Sequence, residues 1–196
     1  MAINKAMRIA LKALSYPDID VKKNYKLHRQ VNNVAHPYIK PKYKIWDHKI
    51  AGADHEIPVR VFLPPDIPEA EPPRVMIFFH GGGWVIGNID SYSNVCANMA
   101  RQTKALVVSV DYRLAPEYRF PCALEDCYAV TREIFLDTTI FGVEAENITI
   151  IGDSAGGNLA AAVSIMARDR GEFSVSKQIL IYPSTYNDHS DENGFL

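Results

Sequence analysis

The sequence predicts an α/β fold, a mostly parallel twisted sheet with helices on both faces. Three observations carry that prediction. Short runs are apolar at consecutive positions: Val-Met-Ile-Phe-Phe at 75–79, residues 105–110, Ile-Thr-Ile-Ile at 148–151 and Gln-Ile-Leu-Ile-Tyr at 178–182. Strands covered on both faces read this way, whereas half-solvated strands alternate. Helix-spaced segments lie between these runs, the alternation expected of βαβ units. Glycine clusters leave two of the runs directly, at 81–83 and around Ser154, and mark tight turns at strand ends.

The remaining elements follow in order. Ile3, Met7, Ala10, Leu11 and Leu14 recur at helical spacing with Lys5, Arg8 and Lys12 between them. This pattern predicts an amphipathic helix packed over a core, with a place on a membrane surface as the alternative, and it is too interrupted by charge for a signal peptide or a membrane span. Residues 42–49 and 57–63 form the leading antiparallel strands, joined by a turn at Gly52-Ala53-Asp54. A proline-rich connection over 64–73 stays within one domain, because the sheet needs both sides of it. Helices are predicted over 93–103, from Pro121 as the first helical residue to about 135, and after Ser154 to about 168 with Gly171 as the stop.

The chain has 196 residues, 47 % of them hydrophobic, enough for one domain with a substantial core. Its net charge of −2 argues against a nucleic-acid partner. Charge is uneven, since the first 50 residues carry 11 of the 21 Lys and Arg and only three acids. Cys96, Cys122 and Cys127 lack metal or redox spacing, as do His28 and His36. Buried free thiols in a reducing cytoplasm, with no metal and no cofactor, are the expectation.

Chemistry concentrates at two places. Gly152-Asp153-Ser154-Ala155-Gly156 has the G-x-S-x-G spacing, with a strand before it and a helix after it. A serine on such a turn is held in a strained conformation. Side chains at Gly152 or Gly156 would collide with the neighbouring helix or strand. A phosphate loop is a poor rival, because no Lys-Ser/Thr pair follows the glycines, and the dinucleotide spacing is absent. An ordinary turn with a capping serine is the bland alternative. Upstream, His80-Gly81-Gly82-Gly83-Trp84 leaves the 75–79 run, and consecutive glycines turn backbone N–H groups toward one spot. His80 is expected to brace this loop, and Trp84 and Tyr186 to serve as pocket elements.

His80-Gly-Gly-Gly-Trp84, Asp111-Tyr-Arg-Leu-Ala-Pro-Glu117 and Gly152-Asp-Ser-Ala-Gly-Gly-Asn158 resemble the signatures of the hormone-sensitive-lipase-like branch of the α/β-hydrolases, many of whose bacterial members are esterases. The resemblance runs from about residue 40 to Pro183. It implies a serine nucleophile at Ser154, oxyanion donors at Gly81, Gly82 and Ala155, and support from His80, Gly83, Gly152, Asp153 and Gly156. It implies short-to-medium acyl esters as substrates and no stable membrane insertion. It also implies a helical cap segment over 1–40 and a core over 41–196. Asp111 and Arg113 are expected to tie loops together rather than to react.

A serine nucleophile needs a histidine base and a carboxylate to fix that base, in the order Ser, acid, His. Only 42 residues follow Ser154, with His189 their one histidine. The expectation is therefore an α/β-hydrolase whose C-terminal strands are missing. An improvised triad through His189 and a catalytically inactive binding module are the alternatives. The 178–182 run has the composition of a central strand, so an unpaired edge there is expected to recruit a second chain.

Overall fold

The computed structural model describes residues 21–37, 44–66 and 72–185. Helix α1 (Val21–Ala35) precedes strands β1 (Ile45–Ala51), β2 (Glu56–Phe62) and β3 (Val75–Phe79). Then come α2 (Ile89–Thr103), β4 (Leu106–Val110), α3 (Cys122–Leu136), β5 (Ile148–Asp153), α4 (Ala155–Arg170) and β6 (Lys177–Ile181). Two single-turn 3₁₀ segments, Thr138–Ile140 and Ala145–Asn147, lead into β5. The predicted helix over residues 1–14 lies outside the described residues.

The six strands form one sheet in the order β1-β2-β4-β3-β5-β6. β1 and β2 are an antiparallel hairpin, β2 is antiparallel to β4, and β4, β3, β5 and β6 are parallel. The sheet is thus mixed, with its parallel half carrying the glycine turns. Side chains of β3 alternate between two cores. Val75, Ile77 and Phe79 face α3 and α4, while Met76 and Phe78 face α2 with Cys96, Ala97 and Ala100. All five β3 residues are buried, which is why its sequence is apolar throughout.

The leading strands are shifted by a few residues from the expected 42–49 and 57–63, and four other differences from the sequence reading have local reasons. α2 begins at Ile89 rather than 93, because Asn88 caps it: its side chain accepts from Ser91 N–H while Ser91 Oγ accepts from Asn88 N–H. Asn-x-x-Ser does this without the Glu or Gln of the usual capping box, so the signal was easy to pass over. Pro121 occupies the cap position of α3, not its first helical residue. α4 extends to Arg170, where Gly171 stops it at φ 66°. β6 is shifted one residue earlier and is not buried on both faces. It is the outermost strand of the described sheet, with Ile179 44 % and Leu180 37 % exposed. Of the three thiols, Cys96 and Cys127 are buried, but Cys122 is only half-buried.

Candidate active site

The end of β5 and the start of α4 meet at Ser154, whose backbone sits at φ 51° and ψ −116°. This left-handed conformation is rare for any residue but glycine. The neighbouring glycines permit it. A Cβ on Gly152 would lie 2.3 Å from the Gly156 carbonyl, and one on Gly156 would lie 2.0 Å from the carbonyl oxygen of Phe79. α4 therefore starts almost in contact with β3, and its N-terminus points at Ser154. Ser154 is half-buried, and its hydroxyl has no hydrogen-bond partner among the described residues. The Ala155 N–H opens the helix, where no intrahelical acceptor exists for it.

The strap after β6 holds this turn in place. Ser154 N–H donates to Ile181 O at 2.9 Å, and Ser184 N–H donates to Ser154 O at 3.1 Å. Asn158 Nδ2 donates to Ser184 O at 2.8 Å.

The glycine loop sits against the same turn. Gly81 N–H donates to Asp153 Oδ1 at 2.9 Å, and Tyr92 of α2 donates to Asp153 Oδ2 at 3.0 Å. A side chain at Gly81 would strike Asp153 Oδ2 at 2.5 Å. The expectation of Gly81 as an oxyanion donor is therefore corrected: its N–H is already engaged by the residue before Ser154. Gly82 (φ 123°) and Gly83 (φ 60°) follow, and neither N–H has an acceptor among the described residues. The free donor pair of the loop is Gly82 and Gly83. Gly82 O accepts from Val85 N–H and Ile86 N–H, which closes the loop into a tight turn.

His80 lies beneath this loop, fully buried. Its Nδ1–H donates to Gly81 O at 2.8 Å, its ring stacks on Tyr112 at 4.3 Å, and Tyr112 donates to His80 O at 2.7 Å. Burial pushes its pKa down to about 4, against smaller opposing effects of the Gly81 carbonyl and the Asp153 charge. Nε2 has no partner, so no hydrogen bond links His80 to Ser154. Burial likewise raises the pKa of Tyr92, which stays protonated as a donor to Asp153. Arg113 grips the buried carboxylate of Asp126 through Nε, Nη2 and its own backbone N–H, and Asp111 accepts from Ile89 N–H at the start of α2. Both residues tie loops together, as expected.

Beside the loop is an apolar pocket of about 260 Å³. Trp84, Tyr118, Phe120, Leu124, Leu159 and Ala162 line it, with Asn158 and Ser184 on the side of the serine turn. Ser154 itself does not line it. Tyr186 and His189 lie outside the described residues. Sequence reasoning missed Tyr92, Asn158 and Ser184. Only Asn158 had a signal, its place at the end of the serine motif. No group of three or more His, Cys, Asp or Glu able to hold a metal occurs among the described residues.

A strained serine between a strand and a helix N-terminus, locked to a glycine loop with free N–H groups, defines the nucleophile-elbow class of α/β proteins. Comparison with known proteins agrees. Residues 76–194 match the family described as the alpha/beta hydrolase fold. The chain is 40 % identical over 152 residues to Esterase LipI of Mycobacterium tuberculosis, covering 78 % of this chain and 48 % of that protein. It is 38 % identical over 156 residues to Carboxylesterase NlhH of the same organism, covering 79 % and 48 %. Among solved structures, the esterase of Pyrobaculum calidifontis superposes with a TM-score of 0.74 at 38 % identity, over 93 % of this chain and 58 % of that one. The chain belongs to the α/β-hydrolase fold family, in its hormone-sensitive-lipase-like branch. It spans about half the length of the curated relatives it matches.

Proposed function

We propose that the protein is a carboxylic-ester hydrolase that acts through an acyl-enzyme on Ser154. One observation carries the reading: Asp153, which adjoins Ser154, holds the glycine loop through the Gly81 N–H, and among the described residues the N–H groups of Gly82 and Gly83 and the hydroxyl of Ser154 have no hydrogen-bond partner, while Ala155 N–H opens the helix. Attack by Ser154 Oγ on an ester carbonyl forms a bond to carbon and places negative charge on the carbonyl oxygen. The three N–H donors and the N-terminus of α4 stabilise that charge. Collapse of the intermediate expels the alcohol, and water then releases the acid. His80 supports the loop and stays neutral. The proton acceptor for Ser154 comes from residues outside those described.

The apolar pocket suits the acyl or alcohol portion of a small ester. Its volume lies just below the usual range for ligand pockets, which favours short-to-medium chains over long lipids. Residues 1–40 act as a cap over a core formed by 41–196, a reading supported by the hydrogen bonds of α1 to the pocket loops. The buried free thiols of Cys96 and Cys127 favour a reducing compartment. No helix among the described residues is long and apolar enough to cross a membrane.

The test is turnover of short-chain aryl esters by the protein and by its Ser154→Ala variant. Loss of several powers of ten in the variant is expected. Undiminished turnover in Ser154→Ala overturns the assignment.

A further inference from the structure

Arg29 of α1 has no part in the chemistry above, yet its guanidinium joins three segments of the site. Nε donates to the carbonyl of Val85 at 2.8 Å, in the turn that closes the glycine loop. Nη2 donates to the carbonyl of Ala115 at 2.9 Å, and Nη1 and Nη2 together grip the carboxylate of Glu117, each at 2.9 Å. Ala115 N–H in turn donates to Trp84 O at 2.9 Å, so the two loops that Arg29 touches are also bonded to each other. The Tyr25 ring lies 4.9 Å from the guanidinium carbon, and one turn further along α1, Asn33 accepts from Asn88 Nδ2 at 3.2 Å.

These contacts need arginine. Two carbonyls and a bidentate carboxylate must be met at once from one planar fork, and a lysine ammonium cannot meet all three. Val85 is the hinge of the arrangement. Its carbonyl is held by Arg29 while its N–H is held by Gly82 O, so its position sets where Gly82 and Gly83 point their N–H groups. Glu117 offsets the positive charge and keeps the fork aligned.

We infer that Arg29 is a positioning residue that clamps α1 onto the Trp84–Val85 turn and the Ala115–Glu117 loop, fixing the oxyanion donors and one wall of the apolar pocket. The catalytic part rests on the ester-hydrolase reading; the mechanical part does not.

The experiment separates the two parts. In a Trp46→Phe background, Trp84 is the sole tryptophan and reports on the loop by acrylamide quenching. Arg29→Met removes every donor while retaining most of the side-chain stem, and Arg29→Lys retains the charge. The expected result is at least a twofold rise in the Trp84 quenching constant in Arg29→Met, with a smaller rise in Arg29→Lys. For short aryl esters kcat falls about tenfold or more in Arg29→Met with KM changed much less, because small displacements of preorganised donors act on the transition state. Unchanged quenching in a folded Arg29→Met variant overturns the clamp. Increased quenching with kcat unchanged overturns its role in positioning the donors. If the parent protein turns over no ester, the quenching result still decides the clamp, and the esterase reading fails separately.

Discussion

Buried and neutral, His80 makes the stability of this protein fall as the solution is acidified. Its imidazole titrates near 6.5 in the unfolded chain but only near 4 in the fold, because burial beneath the glycine loop disfavours the charged ring. Between those values the unfolded state binds the extra proton, so stability is fully present above pH 6.5 and is lost as the pH falls toward 4. At about 1.4 kcal/mol per pH unit, the loss is on the order of 2–3 kcal/mol by pH 4.5. That is a substantial part of the roughly 5–15 kcal/mol that holds a typical fold. Asp47, Glu117 and Glu172 have pKa values lowered by hydrogen bonds from Arg60, Arg29 and Arg132, so the stability they contribute is lost from the ordinary carboxylate range downward, mostly below the window of His80. Asp111, raised by burial, acts in the opposite sense, because the folded state takes up its proton first. Urea unfolding at pH 7.0 and 4.5 should show the midpoint falling by about 1 M, given a typical denaturant slope. NMR of the histidine ring protons gives a second measure, with His80 unprotonated in the folded protein down to about pH 4.5. A midpoint that does not move, or a His80 ring titrating near 6.5, would show that its burial is not the cause.

Two further outcomes follow from the backbone. Gly156→Ala places a Cβ 2.0 Å from the Phe79 carbonyl oxygen and should cost more than about 4 kcal/mol or prevent folding. Gly83→Ala, at φ 60° with nothing within 4 Å, should cost only about 1–2 kcal/mol. Equal losses in urea melts would contradict the view that close approach, not φ alone, makes Gly156 indispensable. The outer edge of β6 has no partner among the described residues, and Ile179 and Leu180 are exposed beside it. The 196-residue polypeptide should therefore self-associate in light scattering, with Ile179→Lys lowering the apparent mass; a monodisperse monomer counts against this.

How legible these features were depends on the distance over which each is determined. β3 was readable to the residue, because being covered on both faces leaves only apolar choices at 75–79. The serine turn was equally plain, since the elements that constrain Gly152 and Gly156 adjoin them in the chain or pack directly on them. The start of α2 was not, because its cap replaces the expected Glu with Ser91. The exposure of β6 was hidden for a different reason. Its composition suits a strand paired on both sides, and composition cannot say which neighbours are present.

The status of Gly81 shows where sequence reasoning about the site had to stop. A run of three glycines says that N–H groups can converge, but it cannot say which of them are already taken. That depends on Asp153, which is 72 residues away in sequence. The same carboxylate links the loop to the serine turn. Asp153 belongs to the turn that carries Ser154, and it binds the loop through Gly81 and α2 through Tyr92. The glycine loop is thus tied to the serine turn through the residue adjoining Ser154. In the reaction proposed above, preorganisation of this kind requires no movement when the oxyanion forms, which is the condition under which such donors contribute most.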